Sequence, residues 1–466
     1  MPLILGTNSI KDTAYNVANS CRFETNTYMT KTASSGNRRT LTFSYWVKRA
    51  ALGAVPSGSN QFPLGTYQDS NNRISTAFTT NNTFVIYAAV SGSTKLYFET
   101  NRIFRDISAW MHFVIKIDTT QSTESNRLKL YINGVEETSF STATYPSQND
   151  DLIIDTNIYV GTYDTSNNFY HGYLAEMVYI DGTALDQTSF GEFDEDSPTI
   201  WKPKNVSGLT FGTNGFYLDF EDASNLGNDA NGGTDLTEYN LTTTDQSTDT
   251  CTNNFATLNP LLDVNNPQIL SNGNLTATGS GSGNHRFAGS TMPVASGKWY
   301  YEVKVTVSGS NPYVGLIDSQ SNLRRNGIYF VNSDGDANNP SGFAVNMSGD
   351  IYHNNSNSYA SNIGSISTND ILGFAINMDS SPKTCEIYKN GSSQRSFNLD
   401  EPPSGFYMLG CNSSYNTSSS VADMNFGSPA FTISSGNSDA NDHGNFEYSV
   451  PSGYFALCTK NLAEFG

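Results

Sequence analysis

The stretch Leu128–Gly134, with the sequence LKLYING, decides the fold class of this chain. Its aliphatic residues occupy every second position, which is the period of a strand with one buried face. The pair Asn-Gly follows at once, and both residues tolerate the positive φ angles that a two-residue hairpin turn requires. A second stretch of the same kind, Ile387–Gly391 (IYKNG), lies in the other half of the chain. The sequence therefore predicts two antiparallel hairpins.

Further strands of period two extend outward from these hairpins. In the first half, one face of Leu41–Val47 carries Leu41, Phe43, Tyr45 and Val47, and Phe113, Ile115 and Ile117 share a face of a later strand. In the second half, Trp299–Val307 is the cleanest strand, with Tyr301, Val303, Val305 and Val307 on one face. No amphipathic helix of about ten residues or more is predicted. The best short helical candidate surrounds Asp186–Phe193.

Composition agrees with an all-β chain. Of the 466 residues, 12% are aromatic and only 15% are charged, and aromatic and β-branched residues fit the pleated, half-buried surface of a sheet. We predict two antiparallel β-sandwich domains in tandem with a loop-rich linker. The predicted boundaries are residues 1–195 for the first sandwich, 196–267 for the linker, 268–432 for the second sandwich and 433–466 for a C-terminal extension that packs back on a sheet. Within the linker, residues 215–220 are predicted to form a strand that returns to the first domain.

Charge and hydropathy exclude two classes of partner. The chain has 25 Lys and Arg against 44 Asp and Glu, a net charge of −19, and no basic run. Nucleic-acid binding is not expected, because phosphate backbones call for clustered cations. No apolar stretch reaches the ~18 residues of a membrane span, so no membrane insertion is expected.

The first residues lack the pattern of a secretory signal, and we expect synthesis in a cytoplasm. The five widely spaced cysteines are expected to be free thiols rather than a zinc site.

Two sets of strands resemble known β-sandwich families. The first half resembles a laminin-G/concanavalin-A-like jelly roll in residues 41–49, 110–118, 128–137, 159–161 and 172–178. The second half is similar to a SPRY-type sandwich in residues 299–303, 370–379, 385–391 and 425–431. The two in this order resemble virion surface proteins of marine tailed phages, particularly those of cyanobacteria. Both domains are then expected to be of the concanavalin-A-like jelly-roll type.

The phage resemblance implies a role. It implies a virion structural protein, a tail-fibre or baseplate-type adhesin that binds a host cell-surface glycan and contacts other virion proteins, as a homotrimer. Its expected location is the virion. A head-decoration protein is the alternative, and a polysaccharide-degrading tailspike is the second alternative. Fold alone does not decide among these roles.

Catalytic motifs are not found in the sequence, and we expect that the protein is not an enzyme. The nearest approach to a glycosidase pair is Glu192–Ser197 (EFDEDS), where the final glutamate of a Glu-x-Asp-x-x-Glu strand is replaced by serine. Glycosidases need two carboxylates that face one cleft, so this stretch is interpreted as a structural acidic loop. The scattered histidines, including His112 and His443, are expected to be surface or turn residues.

Calcium is the one metal to consider, and no other cofactor is expected. Asp334, Asp336 and Asn338 supply oxygen ligands at alternate positions, but the glycine and glutamate that define a calcium hand are missing. Ordinary turn chemistry is the competing explanation, because Asn and Asp bond to their own backbone.

Three loops combine aromatic with amide and carboxylate side chains, which is the composition of a sugar-binding surface. Ordinary polar hairpin tips, or subunit contacts in an assembly, would have the same composition. The candidate ligand-binding residues are Tyr163, Asp164, Asn167, Asn168, Tyr170, His171, Tyr352, His353, Asn412 and Tyr415.

Overall fold

A computed structural model describes the chain in ten segments. They are residues 15–53, 59–152, 155–166, 168–262, 268–278, 286–308, 313–319, 342–353, 356–413 and 420–466. The fold has two compact units, of which the first ends at Thr252 and the second begins at Asn253. This division lies within the segment 196–267 that the sequence suggested as a linker.

Strands make up nearly all of the regular secondary structure of the first unit. They are β1 (Ser20–Phe23), β2 (Tyr28–Thr32), β3 (Thr40–Arg49), β4 (Gln61–Asp69), β5 (Asn72–Phe78), β6 (Phe84–Val90), β7 (Ser93–Thr100), β8 (Met111–Asp118), β9 (Leu128–Ile132), β10 (Val135–Glu136), β11 (Phe140–Thr144), β12 (Asn157–Val160), β13 (Gly172–Asp181), β14 (Gly191–Phe193), β15 (Trp201–Pro203), β16 (Phe216–Leu218), β17 (Thr237–Tyr239) and β18 (Gln246–Ser247). Three short 3-10 helices accompany them: Glu124–Asn126, Gln187–Ser189 and Thr243–Asp245.

Two large antiparallel sheets enclose the core of this unit. The first sheet has the order β10-β9-β8-β3-β13-β1-β18, with β16 also paired to β13. The second sheet has the order β11-β7-β6-β5-β4-β12-β2-β17, and β14 pairs separately with β15. The predicted inner face of β3, from Leu41 to Val47, lies in the core between the sheets. The all-β prediction is confirmed, and the two packed sheets bury the inner faces of central strands such as β3 and β8.

The Asn-Gly hairpins form where the sequence predicted them. Asn133 and Gly134 have φ angles of 49° and 78°, and Asn390 and Gly391 have φ angles of 49° and 76°. Each pair joins two adjacent antiparallel strands. Positive φ at both turn positions matches the right-handed twist of the flanking strands.

The outer face of the first sheet is covered by the chain that follows β13. Val178 and Ile180 of β13 pack with Phe190, Val206 and Phe211 in one apolar cluster. This outer face is therefore buried, which explains why β13 is buried on both sides.

A buried ion pair fastens the end of the first unit to the same sheet. The Lys48 ammonium lies 2.6 Å from a carboxylate oxygen of Asp249, and each side chain is 1% exposed. The indole N–H of Trp110 donates to the other carboxylate oxygen at 3.0 Å. Satisfied hydrogen bonds of this kind offset part of the desolvation cost of two buried charges.

The short helix predicted around Asp186–Phe193 is not formed as an α-helix. Only Gln187–Ser189 is helical, as one 3-10 turn, and residues 191–193 form strand β14. The Asp186 carboxylate accepts a hydrogen bond from the backbone N–H of Thr188, at 3.1 Å. This local side-chain bond favours a turn over a continued helix.

The second unit has the same construction. Its strands are β19 (Ile269–Ser271), β20 (Thr276–Thr278), β21 (Arg286–Gly289), β22 (Lys298–Ser308), β23 (Tyr313–Asp318), β24 (Gly342–Val345), β25 (Ile351–His353), β26 (Ser356–Ala360), β27 (Ile371–Asn377), β28 (Lys383–Lys389), β29 (Ser392–Leu399), β30 (Tyr407–Ser413), β31 (Ser420–Asn425) and β32 (Phe455–Ala456). A third sheet has the order β19-β20-β31-β22-β27-β28-β29, with β32 beside β22, and a fourth has the order β21-β30-β23-β24-β25-β26.

A buried carboxylate holds the C-terminal segment against the third sheet. Glu302 of β22 is 0% exposed, and it accepts hydrogen bonds from the backbone N–H groups of Glu447 and Tyr448, each at 2.9 Å. The Tyr300 hydroxyl also donates to this carboxylate, at 3.2 Å. The segment ends in the α-helix α1 (Thr459–Phe465), which the sequence pattern did not predict because seven residues are too few to establish a helical period.

The described cysteines Cys21, Cys251, Cys385 and Cys458 are free thiols. Burial raises the pKa of each of these thiols. Among the helices of the described segments, none has the length and hydropathy to cross a membrane.

Candidate functional site

The outer face of the second sheet carries a concentration of tyrosines. Its strands send Met29, Leu64, Ile74, Ile86 and Phe98 into the core, and the intervening residues point outward because strand side chains alternate. We call this outer surface, together with one loop that folds onto it, the tyrosine face. Its tyrosines are Tyr28, Tyr67, Tyr87, Tyr97, Tyr159, Tyr163 and Tyr239.

Strand register assembles this surface from distant parts of the sequence. Tyr87 of β6 lies opposite Tyr97 of β7 and opposite Ser75 of β5. On the other side, Tyr159 of β12 lies opposite Gly65 of β4. Cross-strand neighbours on one face are close enough for their side chains to interact, so these positions form one continuous row across the sheet.

The centre of the tyrosine face depends on a close approach at Gly65. A Cβ atom at this glycine would lie only 2.6 Å from the Cβ atom of Tyr163. The missing side chain lets the loop after β12 lay Tyr163 directly on the sheet. There its ring packs 4.4 Å from the Phe62 ring and 5.6 Å from the Tyr67 ring, between ring centroids.

Arg73 provides a cation at the same place. Its guanidinium carbon lies 5.0 Å from the ring centroid of Tyr87 and 5.5 Å from that of Tyr163. One N–H group donates to the carbonyl oxygen of Ser70, at 2.6 Å. Contact with two rings helps to hold the planar guanidinium in place.

A second aromatic group occupies the edge of the face at β17. The rings of Tyr28 and Tyr239 stack with centroids 4.4 Å apart and planes inclined by 12°. Tyr28 also lies 6.3 Å from the rings of Tyr159 and Phe169. Tyr239 is 40% exposed, so this stack presents a flat apolar surface to solvent.

Hydrogen-bonding groups lie among the rings. A Glu99 carboxylate oxygen accepts from the Tyr97 hydroxyl at 3.1 Å, and the other oxygen accepts from Thr83 at 2.8 Å. Burial raises the pKa of Tyr97, Tyr159 and Tyr163 above the usual value of a phenol. These hydroxyls therefore stay protonated at neutral pH, and that of Tyr97 already donates its proton to Glu99.

The predicted binding loop 163–171 places one of its candidate residues on the tyrosine face and others in the interior. Tyr163 lies on the tyrosine face. The Asn168 amide donates to both carboxylate oxygens of Asp164, at 3.1 and 3.0 Å, so these two side chains shape the loop. Tyr170 is 0% exposed, and its hydroxyl donates to the carbonyl oxygen of Lys48 at 2.8 Å. Tyr170 therefore belongs to the core and not to a binding surface.

His171 lies at the base of the same loop and is largely buried. Its Nε2 atom lies 3.3 Å from the Thr25 hydroxyl, and burial lowers the pKa of its imidazole to about 4. Asn167 lies outside the described residues.

The candidates of the second unit are separate from the tyrosine face in sequence and in fold. The His353 ring is 4% exposed and stacks on the Phe343 ring with centroids 4.0 Å apart. Tyr352 is half-buried, and its ring contacts Tyr313 at 5.3 Å. His353 is thus packed and has little surface for a ligand.

The remaining candidates cannot be located. Tyr415 and the side chain of Asn412 lie outside the described residues, as do the calcium candidates Asp334, Asp336 and Asn338. No cluster of three potential metal ligands occurs within the described segments.

His112 is buried, contrary to the expectation of a surface residue. It is 1% exposed, its Nδ1 atom accepts from the Trp201 indole N–H at 3.0 Å, and its Nε2 atom lies 2.8 Å from the Ser44 hydroxyl. Burial lowers the pKa of His112 to about 3, so the ring is neutral. This Ser-His pair lies beneath Trp201 and has no access to a substrate.

The acidic loop Glu192–Ser197 is organised by local bonds. The Lys202 ammonium lies 3.3 Å from a carboxylate oxygen of Asp194 and 3.6 Å from one of Glu192. The backbone N–H of Ser197 donates to Asp194 and lowers the pKa of its carboxyl group. A general acid needs a raised pKa instead, so Asp194 is not suited to that role.

A comparison with protein families matches part of the first unit. Residues 23–189 match the family model Laminin_G_3, described as the concanavalin A-like lectin/glucanases superfamily. The first unit is similar to that superfamily over these residues. No curated protein matches the chain.

Several solved structures are similar to part of this chain. A pentraxin of Limulus polyphemus is 14% identical over 37% of this chain and 80% of its own, with a TM-score of 0.28. The SPRY domain of human HERC1 is 16% identical over 34% of this chain and 91% of its own, with a TM-score of 0.26. The CBM40 domain of a Ruminococcus gnavus sialidase, solved with sialyllactose, is 14% identical over 33% of this chain and 85% of its own, with a TM-score of 0.26.

Proposed function

We propose that this protein is a non-enzymatic glycan-binding protein and that the tyrosine face is its binding surface. The observation that carries the proposal is the row of tyrosines on the solvent side of the second sheet, with Arg73 and Glu99 among the rings. Aromatic rings offer an apolar surface with a polar tip, and a sugar presents C–H groups on its ring faces and hydroxyls around its edge. The matched superfamily on residues 23–189 includes lectins by its own description.

Arg73 and Glu99 would bind different polar groups of the sugar. The free N–H groups of Arg73 would donate to sugar oxygens near the centre of the face. The Glu99 carboxylate would accept from hydroxyls beside Tyr97. A small number of placed polar groups within an apolar surface is the general form of a specific ligand site.

We further propose that the protein is a virion component of a tailed phage, an adhesin of the tail fibre or baseplate that binds host cell-surface glycan. The sequence resemblance to marine phage surface proteins supports this step. Assembly as a homotrimer with other virion proteins would suit it, because several linked copies can exceed the affinity of one weak site by about 10²–10⁴.

The glycan-binding proposal is tested with the full-length chain on arrayed bacterial envelope oligosaccharides. Tyr239→Ala removes an exposed ring of the face, and Arg73→Gln removes its cation. Each substitution is expected to weaken binding at least ten-fold, or about 1.4 kcal/mol. Tyr131→Ala is the matched control, because Tyr131 is a half-buried tyrosine of the first sheet. Unchanged binding by both face variants would contradict the proposal.

Two further measurements separate the alternative roles. Gold-labelled antibody on virions marks the tail if the protein is an adhesin and the head if it is a decoration protein. Release of reducing sugar from host glycans, lost in Glu192→Gln or Asp194→Asn, would identify a tailspike enzyme instead.

A further inference from the structure

The second unit contains a polar groove along the open side of its sandwich. Strand β26 is the last strand of the fourth sheet, and β29 is the last strand of the third sheet. The groove between these two edge strands has a volume of about 540 Å³. We call it the edge groove. The lining residues that carry the argument are Asp350, Tyr359, Asn362, Arg395 and Ser396.

Arg395 is a half-buried cation on the wall of the edge groove. Within the described residues, its side chain forms no hydrogen bond and no ion pair. Two lysines of this unit, by contrast, have acidic partners: Lys383 lies 3.0 Å from Glu401, and Lys389 lies 3.3 Å from Asp370. The chain has 44 acidic residues for 25 basic ones, so the acidic partners are in excess. Among the described residues, Arg395 thus lines the groove with its guanidinium available to a ligand.

An irregularity in strand pairing lies next to Arg395. The pairing of β28 with β29 shifts register between Ile387 and Tyr388, next to the Ile387–Arg395 pair. A β-bulge of this kind redirects a side chain from its regular direction. The Arg395 guanidinium is thus presented to the groove at an irregular point of an edge strand.

The opposite wall presents a fixed acceptor. The Asn362 amide donates to one carboxylate oxygen of Asp350 at 2.7 Å and to the carbonyl oxygen of Ser348 at 3.0 Å. The Asn346 amide donates to the other carboxylate oxygen of Asp350, at 3.3 Å. A carboxylate has about four lone-pair sites, so Asp350 is held in place and still has acceptor capacity.

Tyr359 gives the groove an apolar wall. Its hydroxyl donates to the carbonyl oxygen of Asn398 at 3.0 Å, and its ring lies 4.7 Å from His353 and 5.4 Å from Phe343. These contacts fix the ring, which remains 36% exposed. The groove therefore combines a free planar cation, a fixed acceptor and a fixed aromatic surface.

We propose that the edge groove binds a sugar residue that carries a carboxylate, of the uronic acid class. The ligand carboxylate would pair with Arg395, its hydroxyls would donate to Asp350, and one ring face would lie against Tyr359. The planar fork of an arginine matches two carboxylate oxygens at once. A neutral sugar would leave the half-buried guanidinium without a counter-charge. The choice of a sugar rests on the proposed glycan binding, but no residue of the tyrosine face takes part.

The test compares two probes that differ only in the carboxylate. Binding of methyl β-D-glucuronide and methyl β-D-glucoside to the full-length protein is measured by ligand-observed NMR titration. The glucuronide is expected to bind at least ten-fold more tightly. Arg395→Gln is expected to remove this preference, and Arg395→Lys, which keeps the charge but loses the fork, to reduce it. Lys383→Gln is the control, because it removes a paired cation of the same unit.

Every outcome decides the proposal. Equal affinity for the two probes, no binding of the glucuronide, or a preference that survives Arg395→Gln would overturn it. If thermal denaturation shows that Arg395→Gln is not folded, the proposal is decided by Arg395→Lys and by the comparison of the two probes on the unmodified protein. The tyrosine face is assessed independently: Tyr239→Ala should leave glucuronide binding unchanged, so failure at one surface is distinguishable from failure at the other.

Discussion

Ionisation of Glu176 is predicted to lower the stability of the first unit as the pH rises. Glu176 lies at a bulge in β13, where pairing with β3 shifts register, and it is 5% exposed. The hydroxyl of Tyr217 lies 3.0 and 2.9 Å from its two carboxylate oxygens, and that of Tyr15 lies 3.0 Å from one of them. Within the described segments Glu176 has no ion pair, and burial raises its pKa from 4.5 to about 7.

The size and sign of the effect follow from this pKa. A carboxyl that holds its proton up to about pH 7 in the folded state, and only to 4.5 in the unfolded state, makes the folded state bind more protons between these values. The contribution of Glu176 to the free energy of unfolding therefore falls as the pH rises through this window and levels above it. His112 and His171, whose pKa values are lowered, contribute with the opposite sign, so the effect of Glu176 is measured as a difference from a variant that lacks this carboxyl. The pKa difference corresponds to about 3 kcal/mol. Asp219 and Glu221 act in the same direction, because their charges also oppose ionisation.

The experiment compares the unmodified protein with Glu176→Gln, which keeps the size of the side chain and removes its titration. Urea unfolding from pH 4 to pH 8.5 is followed by tryptophan fluorescence. Of the four tryptophans, Trp46, Trp110 and Trp201 lie in the first unit. The unfolding free energy of the unmodified protein, relative to the variant, is expected to fall by about 3 kcal/mol across the window.

A matched control makes the result specific. Glu124→Gln changes an exposed glutamate of the same unit, and its pH curve should run parallel to that of the unmodified protein. If Glu176→Gln also gives a parallel curve, the carboxyl titrates normally and the reasoning from burial is wrong.

Other substitutions test the remaining contacts of the fold and the site. Gly65→Ala is expected to displace the loop that carries Tyr163 and to cost about 1–3 kcal/mol through overpacking, measured by thermal denaturation, together with a loss of glycan binding. Lys48→Met should cost about 3–5 kcal/mol, because it removes one partner of the buried Lys48–Asp249 ion pair, whereas replacing both residues with apolar ones should restore much of that stability in urea titrations. Glu302→Ala should release the C-terminal segment, which limited proteolysis detects as faster cleavage in residues 433–466; an unchanged cleavage pattern would count against the role of this carboxylate.

Local patterns predicted the strands and hairpins correctly. The aliphatic residues at 128, 130 and 132 specify a buried face within a few residues of chain, and Asn133-Gly134 specifies the turn that ends it. These features depend on neighbours in sequence, so they can be read without a structure. The short helix α1 was missed because seven residues packed against a sheet carry too little periodic pattern.

The candidate sites were predicted less completely, for a physical reason. Loop composition selected Tyr163, which lies on the tyrosine face, but it also selected Tyr170, because composition does not distinguish a ring that points to solvent from one in the core. It missed Arg73, Tyr87 and Tyr97, which lie on regular strands and look like ordinary sheet residues. The alternation of residues along β6 and β7 indicates that Tyr87 and Tyr97 point outward. Whether they share one surface depends on the register between the two strands, which the sequence pattern does not give.

The sequence by itself determined the all-β class, the alternation of buried and outward residues and the two Asn-Gly turns, because each is set by local backbone geometry and period. Only the tertiary structure decided which outer face is open. The chain from Leu185 onward covers the first sheet with apolar side chains, so the tyrosines of the second sheet form a surface and the Ser-His pair of the first becomes part of the interior. Burial and strand register depend on contacts between residues that are far apart in the chain, and a local sequence pattern does not contain those contacts.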